Sequence, residues 1–281
     1  MKVNSSIYRE QQDVTDVRSM VEVYQEIAAM RMQSVKNAIL GARQYYESLT
    51  FLVREVRPWL RTQSNADKTA SKGTKTALFF SANTGLYGDI INKTYRDFRA
   101  YVIKERADAA IIGAAGKRMF ESDHTALPFT YFPSDDAHPT KEQILGIVKY
   151  AEGFDHVEVF HGRFINLISQ VPYQSSLSGD SVVSEAIGGH KEEPSFYYLF
   201  EPTAKDITRV VEGEILASVI EQILHESNFS KFASRMIHLD RAIQHIDERL
   251  NGIEMDQRRA MRRIENKKQL SRITGRLLWK S

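Results

Sequence analysis

The stretch of this sequence with the clearest chemical potential is a glycine turn, "NTGLYG", between the apolar run "ALFF" and a helix-like segment. A nucleotide-binding fold places its phosphate loop between a strand and a helix in this way. The turn carries Gly85 and Gly88, but it has neither the GxGxxG spacing nor the Lys-Ser/Thr pair of a P-loop. The pattern therefore favours a tight strand-to-helix turn that needs glycine, and we expect no bound cofactor.

Residues suited to metal binding or acid–base catalysis are scattered along the chain. Of the eight histidines, only His238 and His245 have a helical seven-residue spacing, whereas two ligands of one metal need a spacing of three or four. The paired Asp135 and Asp136 of "PSDDAH" are predicted to be solvated turn formers. The chain has no cysteine, which excludes disulfides, thiolate metal sites and cysteine nucleophiles. We predict no metal site and no catalytic residue.

The last 28 residues are strongly basic, with nine Lys or Arg against three acidic residues. A solvated charged face is the simplest interpretation. Nucleic-acid binding is a second one, but the segment lacks interleaved aromatic residues and the net charge of the chain is only +2. A third interpretation is a basic surface that faces acidic partners. The candidate contact residues are Arg258, Arg259, Arg262, Arg263, Lys267, Lys268 and Arg272.

Two long helices are predicted to hold these residues. In "FSKFASRMIHLDRAIQHIDERLNGI" the apolar residues alternate in steps of three and four, which is the heptad pattern of a helix that packs along its length against another helix. A similar pattern runs from Val14 to Trp59, and Pro58 is expected to end or kink that helix. We expect the two helices to pair as an antiparallel coiled coil. The central seam residues of the second helix are Met236, Leu239, Ile243, Ile246 and Leu250.

Between the helices the hydrophobic period changes. A strand, the glycine turn, a helix and a second apolar run predict a βαβ unit with a parallel strand pair. A further helix, "KEQILGIVKYAEGF", and three more strands, the last in "PSFYYLFEP", complete a compact α/β domain. The predicted fold class is α+β, with an α/β, Rossmann-like domain inserted in a coiled coil. The predicted boundaries are residues 1–60 for the first helix, 61–74 for a linker, 75–200 for the α/β domain and 201–281 for the last helix.

Five segments in this order resemble the γ subunit, the central rotor stalk, of F-type ATP synthases. They are "EVYQEIAAMRM", "ALFFSANTGLYGDIIN", "FEPTAKDI", "ASRMIHLDRAIQHIDERL" and "RRAMRRIENKKQLSRITG". The sequence departs from the family pattern at Tyr87, where the family has Cys, at His238 and His245, and in the basic stretch "RRIENKKQ". The resemblance covers nearly the whole chain and identifies a divergent member.

The resemblance implies a mechanical role without catalysis. A γ subunit lies inside a hexamer of α and β subunits, and its rotation couples the membrane ring to the catalytic sites. The implied partners are the α and β subunits, an ε/δ-type stalk subunit and the c-ring, with no nucleic acid. The implied location is peripheral, on the cytoplasmic face of a bacterial plasma membrane or the matrix face of an organelle inner membrane. The basic residues are then expected to face acidic loops of the β subunits.

Three other hypotheses remain open from the residues. The central stalk of a vacuolar- or archaeal-type rotary ATPase is also a long coiled coil, but it has no such α/β insert. An enzyme built on the middle domain would need a ligand at the "GLYG" turn. A coiled-coil adaptor would bind acidic proteins or nucleic acid through its basic C-terminal segment.

Overall fold

The computed structural model describes residues 2–63, 73–123, 127–136, 139–177 and 204–278. Along the sequence, a long first helix and a long last helix flank eight shorter described elements. The elements are α1 (Lys2–Gln63), β1 (Lys75–Phe80), α2 (Ile90–Glu105), β2 (Asp108–Ile112), α3 (Ala114–Ser122), β3 (Phe129–Phe132), α4 (Lys141–Ala151), β4 (His156–Phe164), β5 (Gln170–Ser176) and α5 (Ala204–Leu278).

The five described strands form one mixed sheet in the order β3-β2-β1-β4-β5. β1 pairs in parallel with both β2 and β4, β2 pairs in parallel with β3, and β5 runs antiparallel to β4. The predicted βαβ unit is therefore confirmed as β1-α2-β2. The sequence analysis did not identify α3 and β3, which are only nine and four residues long. The strand predicted in "PSFYYLFEP" lies outside the described residues.

Two apolar cores cover the two faces of the sheet. Alternate side chains of β1 point to opposite faces, so that Leu78 and Phe80 join one core and Ala77 and Phe79 join the other. The first core includes residues of α4 and of α5, and the second includes residues of α2 and of α5. Because both faces are covered, β1 is a continuous apolar run instead of an alternating one.

The chain divides into two compact units, and the long helices contribute to both. One unit comprises residues 28–235 and the other comprises residues 1–27 and 236–281. In the larger unit α1 and α5 are antiparallel. Arg31 lies over the ring of Phe232, with its Cζ atom 5.9 Å from the ring centre. The hydroxyl of Tyr45 donates a hydrogen bond to Glu214 at 2.9 Å. Moving forward along α1 therefore means moving backward along α5.

The smaller unit consists of the N-terminal part of α1 and the C-terminal part of α5, again antiparallel. Arg18 donates to Asp247 at 2.6 Å, and the amide of Gln257 donates to the side chain of Gln11 at 2.6 Å. Each unit therefore contains an antiparallel helix pair, as the heptad patterns predict. The basic residues Arg258 and Arg259 directly follow this pairing contact.

The buried stripe of α1 differs from the predicted seam at every second position. Val14, Val21, Ala28, Val35 and Ala42 are buried or half-buried, as predicted. The intervening predicted positions are exposed in the described part of the helix, and they are Val17, Tyr24, Arg31, Ala38 and Tyr45. The half-buried positions between the core residues are instead Gln11, Arg18, Gln25, Met32, Ile39 and Tyr46. Three of these are polar, and two of them bond the facing helix, so hydrophobicity alone could not select them.

The helix α1 also continues past Pro58 to Gln63, so that of the predicted end or kink at the proline the end is wrong and the kink stays a prediction. A proline removes only one backbone hydrogen bond from the helix, and the adjacent turns can continue around it. The last helix, α5, begins at Ala204 and ends at Leu278.

Candidate functional site

The glycine turn lies at the carboxyl end of β1, beside the point where the chain order of the sheet reverses. β2 and β3 lie on one side of β1, whereas β4 and β5 lie on the other. In open α/β sheets the crevice at such a reversal is the usual ligand site. In this chain the crevice holds side chains of the protein's own helix α5, chiefly Lys231 and Arg235.

Lys231 is the centre of this arrangement. Its side chain is only 2% exposed, and its ammonium donates a hydrogen bond of 2.7 Å to the carbonyl of Ser81, directly after β1. The same ammonium lies 3.4 Å from Oδ1 of Asp136. Burial lowers the pKa of Lys231, while the charge of Asp136 and the hydrogen bond to it act in the opposite direction.

The carboxylate of Asp136 links the helix to the turn. Its second oxygen, Oδ2, accepts from the backbone N–H of Asn83 at 2.8 Å and from the hydroxyl of Tyr87 at 3.1 Å. Burial, followed by the nearby charge of Asp136, raises the pKa of Tyr87 to about 12. Asp136 is only 8% exposed. The prediction that both aspartates of "PSDDAH" are solvated is therefore wrong for Asp136, although Asp135 is exposed.

The turn itself is held by two further residues of α5. Arg235 donates to the carbonyl of Gly85 at 2.5 Å and to the hydroxyl of Thr84 at 2.8 Å, and its guanidinium stacks 4.1 Å from the ring centre of Tyr87. Ser234 donates to the carbonyl of Tyr87 at 2.7 Å. Two carbonyls of the turn and the N–H of Asn83 at its start are thus bonded to side chains of the same chain.

Of the two glycines of the turn, Gly88 has a conformational role, whereas Gly85 does not have a positive φ and a Cβ added there would meet nothing within 4 Å. Gly88 has a φ of +60°, the left-handed region in which glycine has no steric penalty. The neighbouring Leu86 adopts a φ of +68° and has an exposed side chain. Tyr87, which lies between Leu86 and Gly88 in the sequence, is buried. The turn consequently directs Tyr87 inward toward Asp136.

The part of α5 around this junction is buried on all sides and is nevertheless polar. The buried polar residues of this part of the helix are Ser227, Asn228, Ser230 and Lys231. Ser230 lies so close to Gly162 of β4 that a Cβ atom added to Gly162 would be 2.8 Å from Oγ of Ser230. Among the described residues, Asn228 and Ser230 have no hydrogen-bond partner for their side-chain atoms. Sequence analysis missed this junction because a buried helix is expected to be apolar. The small residues of "SNFSKFAS" are the signal that could have indicated close packing.

The basic segment has the opposite environment. All seven predicted contact residues, from Arg258 to Arg272, are exposed. Arg258 lies 3.6 Å from Glu254 and Arg259 lies 3.4 Å from Asp256, both within the helix. No ion pair to another described residue forms at the remaining five positions, which are Arg262, Arg263, Lys267, Lys268 and Arg272. At 100° per residue these cations are distributed around the whole helix circumference.

The predicted seam residues of α5 lie in the smaller unit along one side of the helix. Leu239 is buried, and the other four are half-buried. Within the described residues no cluster of three or more His, Asp or Glu side chains could hold a metal ion. Among the described helices, none combines the length and the apolar composition that crossing a bilayer requires.

Fold and site together define a class: a protein with paired long terminal helices and an inserted α/β domain, in which side chains of the last helix lie at the carboxyl end of β1. The family model described as ATP synthase matches residues 5–274. The chain therefore belongs to the ATP synthase family.

The similar proteins are named as γ chains of that family. The chain is 21% identical over 279 residues to the ATP synthase gamma chain of Parvibaculum lavamentivorans, covering 93% of this chain and 94% of the relative. It is 22% identical over 270 residues to that of Pelotomaculum thermopropionicum, covering 93% of each chain.

Solved structures of similar fold come from ATP synthase rotors. A chain of the central stalk and c-ring structure of the Tetrahymena thermophila mitochondrial ATP synthase superimposes with a TM-score of 0.60 at 18% identity, covering 79% of this chain and 99% of that chain. A rotor chain of the Euglena gracilis mitochondrial enzyme gives a TM-score of 0.52 at 11% identity, covering 89% and 99%.

Proposed function

We propose that this chain is the central rotor shaft of a rotary F-type ATP synthase. It couples rotation of a membrane ring to the conformational cycle of a catalytic hexamer and performs no catalysis itself. The observation that carries the proposal is the antiparallel pairing of the two terminal helices, seen in Arg18–Asp247 and in Tyr45–Glu214, around an α/β domain whose crevice is closed. A shaft needs stiffness, and paired helices supply it.

The proposed partners follow from this role. The α and β subunits form the hexamer around the coiled coil, and an ε/δ-type subunit and the c-ring contact the rotor elsewhere. The chain is then peripheral to the membrane, on the cytoplasmic face in a bacterium or the matrix face in an organelle. The Tetrahymena structure, of a central stalk and c-ring, and a Euglena structure that contains F1 and a c-ring support this assembly.

Co-purification tests the assembly. The full-length tagged chain, expressed in its own cells, is expected to recover α- and β-type ATPase subunits at three copies each per chain, with ATPase activity in the eluate. A matched control is the same tag on an unrelated coiled-coil protein. Recovery of the chain without these subunits, or with nucleic acid in their place, would favour the adaptor hypothesis instead.

The basic residues are proposed to contact acidic loops of the β subunits. The cations surround the helix, so a rotating shaft presents positive charge to each of three β subunits in turn. Individual exposed ion pairs contribute little, and no single arginine is therefore expected to be essential. Salt is expected to weaken the contact because exposed charges are screened.

Charge removal tests this contact. Replacing Arg258, Arg259, Arg262, Arg263, Lys267 and Lys268 by glutamine is expected to change the ATPase rate of the assembled complex and to reduce its salt dependence. The helix is expected to stay folded, because glutamine is a good helix former. The control replaces Lys93, Arg96 and Lys149, exposed cations of the α/β domain, by glutamine. If turnover, salt dependence and assembly are unchanged in the six-residue variant, the segment is only a solvated face.

A further inference from the structure

Three side chains on one face of α5 bond the end of the sheet through directional contacts. Lys231, Ser234 and Arg235 are spaced by three and four residues and therefore lie on the same side of the helix. Their hydrogen bonds go to the carbonyls of Ser81 and of the residues in the glycine turn. These acceptors belong to the backbone of the α/β domain, whose position the parallel strands determine.

Of the three contacts, the one made by Lys231 is the most unusual. A buried ion pair is seldom the most stable filling of a core, because both charges lose their hydration, and apolar residues of similar size often give equal or higher stability. In some proteins such a pair instead specifies a single geometry of the elements that it joins. Lys231 satisfies Ser81 and Asp136 together, and Asp136 is itself held by Asn83 and Tyr87. Rotation of α5 about its axis would break these bonds together.

An apolar contact behaves differently under torsion. Packed aliphatic side chains attract each other without a preferred direction, so a helix held only by them can change its rotational position at small energetic cost. The ammonium of Lys231 cannot exchange these acceptors for bulk water, because the side chain is only 2% exposed. Arg235 is the last residue of α5 in the larger unit, so the ion pair lies within two helical turns of the point where α5 leaves that unit.

We propose that the Lys231–Asp136 ion pair is a torsional lock that fixes the rotational position of α5 on the α/β domain. Both residues are positioning residues: they transmit torque between the domain and the shaft without contact to nucleotide. The inference rests on the proposed rotor function. Arg235 and Ser234 support the same lock from the adjacent turn of the helix.

A single-molecule rotation experiment measures the lock directly. The chain has no cysteine, so a cysteine introduced at the exposed Leu145 of α4 gives one attachment point for a bead on the α/β domain. The catalytic hexamer of the assembled complex is fixed to the surface, and the angular variance of the bead is recorded while the shaft pauses between steps. This variance is inversely related to the torsional stiffness of the connection.

The test variant is Lys231→Met combined with Asp136→Leu, which replaces the pair by apolar side chains of similar size. We expect this variant to assemble and hydrolyse ATP, with an angular variance about twofold or more above that of the unaltered complex, because apolar contacts replace the directional bonds of Lys231 and those that Asp136 accepts from Asn83 and Tyr87. The matched control is Lys75→Met with Glu105→Leu. That pair is also an ion pair of the α/β domain, at 2.7 Å, but it does not involve α5, and its removal is expected to leave the variance unchanged.

A second variant covers failure of the first to assemble. Asp136→Asn retains the shape and one of the two acceptor oxygens of the side chain but removes the charge, and it is expected to increase the variance by a smaller factor. Unchanged variance in the variants that assemble would overturn the lock. A purely structural role would lower the yield of complex and leave the variance of the assembled molecules unchanged. If the unaltered chain does not assemble or does not rotate, that result contradicts the proposed rotor function and is distinct from a failure of the proposed lock.

Discussion

The close approach of α5 to β4 makes Gly162→Ala the sharpest perturbation of the junction. A Cβ atom added at this position would lie 2.8 Å from Oγ of Ser230 and 3.0 Å from Cγ1 of Ile90. Both distances are shorter than an ordinary van der Waals contact, so the side chains of Ser230 and Ile90, or the backbones that carry them, have to shift. Overpacking of this kind costs about 1–3 kcal/mol, while the reduced backbone entropy of the unfolded chain returns about 0.4–1 kcal/mol.

The net destabilisation is therefore about 1–2 kcal/mol, which corresponds to a decrease of roughly 3–6 °C in the unfolding temperature for a domain of this size. Thermal unfolding of the full-length chain, followed by near-ultraviolet circular dichroism of the tyrosine and phenylalanine cluster, measures the decrease. Adding Ser230→Ala is expected to recover part of it, because the nearest contact atom is removed.

Gly146→Ala in α4 is the matched control. The same substitution meets nothing within 4 Å there and lies inside a helix. It is expected to stabilise the chain by about 0.5–1 kcal/mol through the higher helix propensity of alanine. If Gly162→Ala unfolds at or above the temperature of the unaltered protein, the argument for close packing at the junction is refuted.

Three further predictions concern the α/β domain. Thr140→Ala removes a complete capping box at the start of α4 and is expected to cost about 1 kcal/mol in urea unfolding; no change would show that the cap adds nothing. Burial lowers the pKa of His161 to about 4, so between about pH 6.5 and 4 the unfolded chain binds a proton that the folded chain does not. The free energy of unfolding should therefore fall by up to about 3 kcal/mol as the pH falls through this window. His161→Gln should flatten this pH dependence. Phe232→Ala is expected to cost about 3–5 kcal/mol, because the ring is fully buried in the second core; a loss below 1 kcal/mol would mean that the site collapses around the missing ring.

Much of the architecture could be predicted from the sequence because it depends on local periodicity. A spacing of three and four residues indicates a helix with one packed side, and an apolar run before a glycine turn indicates a strand. These patterns identified the two long helices, the β1-α2-β2 unit and the antiparallel pairing. Short elements such as β3, with four residues, carry too little pattern to be detected.

The junction could not be predicted, because its parts are distant in sequence. Lys231 and Asp136 are separated by 95 residues, and Asp136 is a plausible solvated turn residue until the fold brings α5 against it. The same holds for the buried stripe of α1. The polar residues Gln11, Arg18 and Gln25 are half-buried, because the facing helix offers hydrogen-bond partners or covers the aliphatic part of their side chains. The apolar Val17 and Tyr24 are exposed to solvent.

The sequence alone thus determined the two long helices, the β1-α2-β2 unit and that the two long helices pair with each other, since those outcomes follow from side-chain periodicity. The tertiary structure decided which polar groups are buried, because the low polarity of the interior makes burial depend on a partner at hydrogen-bonding distance. It also decided that the ligand crevice of the α/β domain is occupied by Lys231. A lysine in a helix has no local signal that distinguishes a solvated ammonium from one bonded to a distant carboxylate.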